Sequence, residues 1–177
     1  MLTLLLLVTI VTGAPPVWRS TTLADVNAIS ARISADFMTD SDRRAAAIEV
    51  LLSETGIVGG PGVRVVDMLE PVSVSKLFFV TRQALLLLEQ LHAFGIVHGN
   101  FAWDKLVVHH GEIQLSDLSH AYVSTTEFRK DLYPLFLELK TRLGKFENAP
   151  DIDYIVKYFQ MGGGRIDYDY LLNFCAE

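Results

Sequence analysis

Residues 95 to 108, GIVHGNFAWDKLVV, place a histidine, an amide and a lysine in one loop that runs into an apolar segment. This arrangement is typical of a catalytic loop followed by a strand, and such a loop needs a carboxylate as its base. Asn100 stands at the position where that carboxylate is expected. An amide carries no negative charge and is a very poor base, so the loop lacks the group that its chemistry requires.

The segments on either side of the loop predict the elements that hold it. From Ser75 to Gly95 the chain is apolar around most of a helical pattern, which indicates a helix buried in the middle of the domain. After the loop, Leu106–Val108 and Ile113–Leu115 surround the sequence HHGE and predict a hairpin. Further helices are expected at residues 128–143, 151–159 and 168–175. The predicted fold class is mainly α with a few short strands.

The region before Ser75 is also predicted to be largely helical. A first helix follows from apolar residues at spacings of three and four, which share one helical face: Leu23, Val26, Ile29, Ile33 and Phe37. Ser41 is the predicted cap of a second helix that extends to about Glu54. The glycine-rich sequence GIVGGPG then ends this helix, and Val63–Val66 is predicted as a short strand.

The order of a buried helix, a histidine-led loop, a hairpin and an aspartate on a tight turn resembles the C-terminal lobe of the protein kinase fold. IVHGNFAWDKLVV matches the kinase loop H-R-D-L-x-x-x-N, and IQLSDLSHA matches the strand that ends in D-F-G. The preceding LLLLEQLHAFGIVHG matches the helix that leads into the loop. The resemblance covers about residues 75 to 143 and implies a kinase-like C-lobe over residues 75–177.

The resemblance gives each residue of the loop a family role, and most of the catalytic roles are lost. Asn100 replaces the catalytic aspartate, Ala102 the loop lysine and Lys105 the metal-binding asparagine. Asp117, in DLS where the family has DFG, keeps a metal-binding side chain, but the Lys105 ammonium repels Mg²⁺. The resemblance therefore implies a pseudokinase without efficient phosphotransfer, with no required cofactor and with at most weak ATP–Mg binding at Asp117 and Lys105.

Two further residues are expected to support the loop rather than to react. In the family the loop histidine packs into the core and holds the loop to the DFG segment, and His98 matches it. Asp131, in DLYPLFLELK, matches the helix aspartate that accepts hydrogen bonds from the loop backbone. No glycine-rich loop at the family's spacing and no strand lysine precede the loop. Residues 15–74 are therefore interpreted as a helical extension or the remnant of a reduced or missing N-lobe.

Charge and composition limit the partners of the chain. Its 177 residues carry a net charge of -6 without basic clusters, so the sequence offers no electrostatic footprint for nucleic acid. Leu2–Val11 is too short to span a bilayer, and no stable membrane insertion is expected. Together with the small residues up to Ala14 it predicts a signal peptide over residues 1–14, although this segment has no lysine or arginine. A buried strand or helix is the alternative.

A signal sequence together with the HG form of the loop most resembles the secreted rhoptry kinases and pseudokinases of apicomplexan parasites. The expected function is that of a secreted scaffold or effector that binds a protein partner, located in the secretory pathway or in a parasite secretory organelle. The alternatives are an atypical ATP-dependent phosphotransferase or protein kinase, and a fragment of a larger kinase-like protein. Small-molecule kinases and lipopolysaccharide-kinase-like proteins share the HG loop and also stay open.

Overall fold

The computed structural model describes residues 17–162 and 165–176, with side chains from Thr22 onward. The helices are α1 (Val17–Arg32), α2 (Asp40–Leu52), α3 (Val74–Ala93), α4 (Arg129–Leu143), α5 (Asp153–Met161) and α6 (Tyr168–Cys175). The strands are β1 (Val63–Arg64), β2 (Ile96–Val97), β3 (Leu106–His109), β4 (Glu112–Leu115) and β5 (Tyr122–Val123). The prediction of a mainly α fold with a few short strands is confirmed. The predicted signal peptide, residues 1–14, lies outside the described residues.

Helix α3 is the central element of the core. Its Leu77, Leu85, Leu88 and Leu91 are fully buried, and the helix packs against α4, α6, β2 and β4. Burying one leucine side chain contributes about 1.5–3 kcal/mol, so this helix accounts for a large part of the apolar stabilisation. None of the helices in the described ranges combines the length and the apolar character that crossing a bilayer requires.

The predicted hairpin is formed by β3 and β4, which pair antiparallel with Leu106 opposite Leu115. Its turn consists of His110 and Gly111, with φ angles of 53° and 79°, as a two-residue turn of type I′ requires. β1 pairs with the other edge of β3. The predicted strand Val63–Val66 is shorter in the structure, because Val65–Met68 forms a turn of 3₁₀ helix.

The predicted face of the first helix is partly wrong. Val26 is buried, whereas Leu23 is 53% exposed and Phe37 lies fully exposed outside the helix with a φ angle of 66°. The contacts of α1 are mainly with α2, and a single neighbouring helix covers only a narrow stripe of its surface. Helical spacing alone overestimates how much of such a peripheral helix is buried.

The cap of α2 is Thr39 rather than the predicted Ser41. The hydroxyl of Thr39 accepts a hydrogen bond from the Asp42 N–H at 3.1 Å, and the Asp42 carboxylate accepts one from the Thr39 N–H at 3.4 Å. This reciprocal capping box satisfies two donors of the first turn. The helix therefore begins at Asp40, and it ends at Leu52, two residues before the predicted end.

The helices after the hairpin follow the predicted order. α4 continues through Pro134, which lies in its second turn, and buries Leu132, Leu135, Phe136 and Leu139. α5 begins and ends two residues later than predicted, since Gly162 with a left-handed φ of 74° terminates it. α6 has the predicted bounds, and it packs against α3.

A half-buried acid lies on the face of α3 that meets α6. One carboxylate oxygen of Glu89, Oε2, is buried, and no described group forms a hydrogen bond with it. Burial of the side chain, and then the negative charge of Asp169 on α6, raise the pKa of Glu89 to about 7.

We expect the stability of the protein to fall as the pH rises from about 4.5 to about 7 and then to level off, because the folded state binds the Glu89 proton more tightly than the unfolded chain. The full pKa difference corresponds to about 3 kcal/mol, and solvent access reduces this to about 1–2 kcal/mol. Glu89→Gln should remove this pH dependence and stabilise the protein at high pH. Glu49→Gln, on the exposed face of α2, should change neither the pH dependence nor the stability. Urea unfolding midpoints of the wild type and of both variants, measured across the pH range, test this prediction. An unchanged pH dependence in Glu89→Gln would contradict the assignment of the raised pKa to Glu89.

Candidate functional site

The buried carboxylate of Asp131 holds the start of the loop that runs from His98 to Lys105. Its Oδ2 accepts a hydrogen bond from the His98 N–H at 2.8 Å, and its Oδ1 accepts one from the Gly99 N–H at 3.1 Å. His92 of α3 places its Nε2 2.8 Å from the same Oδ2. One fully buried acid at the start of α4 thus ties the loop to two helices. This contact is the one expected of Asp131 from the sequence.

His98 connects the loop to the segment that precedes Asp117. Its Nε2 lies 2.9 Å from the carbonyl oxygen of Ser116, and its Nδ1 accepts the N–H of Asn100 at 3.3 Å. The proton of a neutral ring therefore sits on Nε2 and donates to Ser116. Burial lowers the pKa of His98 and keeps the ring neutral. Both nitrogens are bonded to backbone, so the geometry suits a support for the loop better than a proton carrier.

Gly99 occupies a position that no other residue fits without strain. Its φ angle is 85°, a left-handed value that costs residues with a Cβ about 1–2 kcal/mol. A Cβ added here would also collide with the backbone carbonyl oxygen of His120. The HG sequence of the loop is therefore explained by the close approach of the chain after Asp117.

The Lys105 ammonium and the Asp117 carboxylate form an ion pair, with Nζ 2.8 Å from Oδ2. The other oxygen, Oδ1, accepts hydrogen bonds from the Ser119 hydroxyl at 2.5 Å and from the Ser119 N–H at 3.3 Å. The bonds from Lys105 and then from Ser119 hold the pKa of Asp117 well below its usual range. The bond to Asp117 raises the pKa of Lys105. Both groups are therefore charged at neutral pH, and both carboxylate oxygens already have donors.

A turn of 3₁₀ helix, Trp103–Lys105, aims the lysine at Asp117. The fully buried Trp103 anchors this turn, since its indole N–H donates to the Leu135 carbonyl of α4 at 3.2 Å. The Lys105 carbonyl accepts both the N–H and the hydroxyl of Ser116, at 2.8 Å and 2.9 Å. The bond of Trp103 to α4 and the bonds of Ser116 to Lys105 thus bring together Lys105 and Asp117, which are twelve positions apart.

The side chains at two further loop positions, Asn100 and Ala102, cannot act as a base. Asn100, at the position of the base, lies exposed on the surface of the loop. Ala102 is half-buried, and its carbonyl accepts the Lys105 N–H at 2.9 Å. The loop therefore presents a neutral amide and a methyl group where the kinase scheme has a carboxylate and a lysine.

A magnesium–nucleotide complex at Asp117 would compete with the donors that Lys105 and Ser119 already supply. Mg²⁺ takes oxygen ligands in near-octahedral geometry, usually one or two carboxylates together with phosphates and waters. In the part of the chain that the structure describes, no group of three His, Cys, Asp or Glu side chains is arranged to hold a metal ion. A metal at Asp117 would lie close to the positively charged Lys105 ammonium, which is 2.8 Å from Oδ2.

Sequence reasoning gives no role to His92, yet this residue is part of the buried network. Its Nδ1 lies 2.6 Å from the Tyr168 hydroxyl, and its ring stacks on Phe128 with centroids 4.5 Å apart. The one available signal is its position four residues after Leu88, which places it on the buried face of α3. Its partners lie in distant parts of the sequence and leave no local pattern.

A scan against models of protein families, a search of curated proteins and a search of solved structures each found no match to this chain. The kinase-like assignment therefore stays a prediction that comes from the motifs.

Proposed function

We propose that this chain contains a degenerate, kinase-like C-lobe that serves as a pseudokinase: it binds a protein partner as a scaffold or effector and does not transfer phosphate efficiently. The observation that carries the proposal is the ion pair of Lys105 and Asp117 at 2.8 Å. In the kinase scheme this aspartate binds Mg²⁺ on the phosphates of ATP. Here a lysine of the same chain occupies it.

The contacts around the loop support the same proposal. Asp131 bonds the backbone of His98 and Gly99, and His98 bonds Ser116, so the loop is held in place by buried hydrogen bonds. The side chains that would perform the reaction are absent, since Asn100 is not a base. A rigid loop without its reactive groups retains a defined surface, and a defined surface is what partner binding requires.

The proposed location in the secretory pathway, or in a secretory organelle of a parasite of the rhoptry type, rests on the sequence of residues 1–14 alone. A fragment of a larger kinase-like protein would contain the same loop.

The phosphotransferase alternative is favoured by one observation: the Asp117 side chain remains 42% exposed and is thus open to solutes.

We expect millimolar ATP–Mg²⁺ to leave the melting temperature of the purified protein unchanged, because Asp117 is already paired. A ligand at a hundredfold excess over its Kd would stabilise the folded state by about 2.7 kcal/mol, so a retained site would be visible by differential scanning fluorimetry. A rise of several degrees that Asp117→Ala abolishes would favour the phosphotransferase alternative.

The matched variant for this experiment is Lys105→Asn. It removes the ammonium and restores an amide oxygen beside Asp117, so it should raise the affinity for metal–nucleotide above that of the wild type. Lys145→Asn removes the same charge from an exposed position beyond α4 and controls for net charge. Equal nucleotide affinity in the two variants would show that the ion pair is not what blocks the site.

A further inference from the structure

A polar pocket of about 430 Å³ opens between the start of α4 and the segment that leads into α6. Its wall includes Thr125, Thr126, Arg129, Arg165 and Tyr168. None of the described residues that line it is acidic, although the whole chain has a net charge of -6. Arg129 and Arg165 thus place two guanidinium groups on the wall of this pocket, and guanidinium groups are suited to binding anions.

The lining groups suit the oxygens of a phosphoryl group. Guanidinium groups present paired N–H donors whose geometry matches phosphate, and the hydroxyls of Thr125 and Thr126 can add further donors. Arg129 lies over the ring of Tyr158 with its Cζ 5.7 Å from the ring centroid. This contact restricts the conformations of the Arg129 side chain, so the side chain would lose less conformational entropy when a ligand binds. The N–H groups of Lys130 and Asp131, in the first turn of α4, already donate to the carbonyls of Glu127 and Phe128, so the site consists of side chains rather than of the helix terminus.

We propose that this pocket binds the phosphoryl group of a phosphate monoester. Its volume lies in the range of small-molecule sites and exceeds what a phosphate ion alone would fill, which leaves room for the group that carries the phosphate. The proposal concerns a site separate from Lys105 and Asp117. It stands whether or not the loop transfers phosphate.

The wall of this pocket is connected to the loop by buried contacts. Tyr168 and Phe128, which both line the pocket, contact His92, the first by a hydrogen bond of 2.6 Å and the second by stacking at 4.5 Å. His92 in turn bonds Asp131, and Asp131 bonds the Gly99 N–H. A ligand that engages Tyr168 should therefore change the chemical environment of the Gly99 amide.

The test uses the full chain and three probes: inorganic phosphate, a short peptide with one phosphothreonine, and the same peptide without phosphate. Isothermal titration calorimetry should detect binding of the phosphate-containing probes and none of the third. Arg165→Gln should weaken that binding at least tenfold, while Arg44→Gln, which removes the same charge from an exposed position on α2, should leave it unchanged. The Gly99 amide resonance should shift on binding in the wild type.

The arms also distinguish the source of the phosphoryl group. Tighter binding of the phosphopeptide than of inorganic phosphate assigns the pocket to a modified protein, and equal binding assigns it to a free phosphate compound. If Arg165→Gln does not fold, Thr126→Val removes one donor and should weaken binding about threefold. Absence of binding by both phosphate probes, or equal weakening in Arg165→Gln and Arg44→Gln, would overturn the proposal.

Discussion

Asp131→Asn is expected to lower the free energy of unfolding by about 3 to 5 kcal/mol, a large part of the stability of a domain of this size. The two carboxylate oxygens of Asp131 receive different N–H groups, those of His98 and Gly99. Asparagine keeps one oxygen and presents an NH₂ group to the other donor, which leaves that donor buried and unpaired. It also removes the negative charge that faces His92.

Urea unfolding followed by circular dichroism measures this effect. The matched control is Asp153→Asn, which removes an exposed carboxylate that pairs with Lys140 at 2.8 Å. Exposed pairs of this kind contribute little to stability, so the control should keep the wild-type midpoint. Equal midpoints for the two variants would show that Asp131 is not the group that holds the loop.

Gly99→Ala is expected to cost about 2 to 5 kcal/mol. The left-handed backbone conformation accounts for about 1–2 kcal/mol of this cost. The rest arises because the new Cβ would collide with the His120 carbonyl oxygen and force the two backbone segments apart. The obstacle is backbone rather than a flexible side chain, so relief requires that the loop or the segment after Asp117 moves.

Gly111→Ala separates these two contributions. Gly111 has a φ angle of 79°, close to that of Gly99, but a Cβ at this position would have no atom within 4 Å. Its replacement should therefore cost only the backbone contribution of about 1–2 kcal/mol. Unfolding free energies of the two variants are compared with the wild type, and equal losses would contradict the close approach of His120 to the loop.

Local patterns are sufficient to predict the elements around the loop. The apolar face of α3, the HHGE turn and the bounds of α6 are properties of short segments, so their prediction needs no knowledge of distant residues. The predicted bounds are less accurate where an unexpected cap decides them, as Thr39 does for α2. Burial is overestimated for Leu23 and Phe37, because it depends on which neighbours cover a helix.

The site is less predictable, because its contacts join distant parts of the chain. Motifs identify His98 and Asp131, and the hydrogen bonds of both residues lie where those motifs suggest. The ion pair of Lys105 and Asp117 does not follow from the motifs. They predict a lysine that repels a metal, whereas this lysine pairs with Asp117, the residue that the motifs align with a metal ligand. This ion pair depends both on the 3₁₀ turn that positions Lys105 and on the hairpin that precedes Asp117. The sequence of neither segment alone predicts it.

The most direct test of the central claim, that the loop is a support without catalytic function, is phosphotransfer from radiolabelled ATP. Purified protein is incubated with Mg²⁺ or Mn²⁺ and generic protein acceptors, and incorporation is compared with that of Asp117→Ala. We predict equal incorporation at background level, because Asn100 supplies no base and Lys105 occupies Asp117. Incorporation by the wild type above that of Asp117→Ala would contradict the pseudokinase proposal.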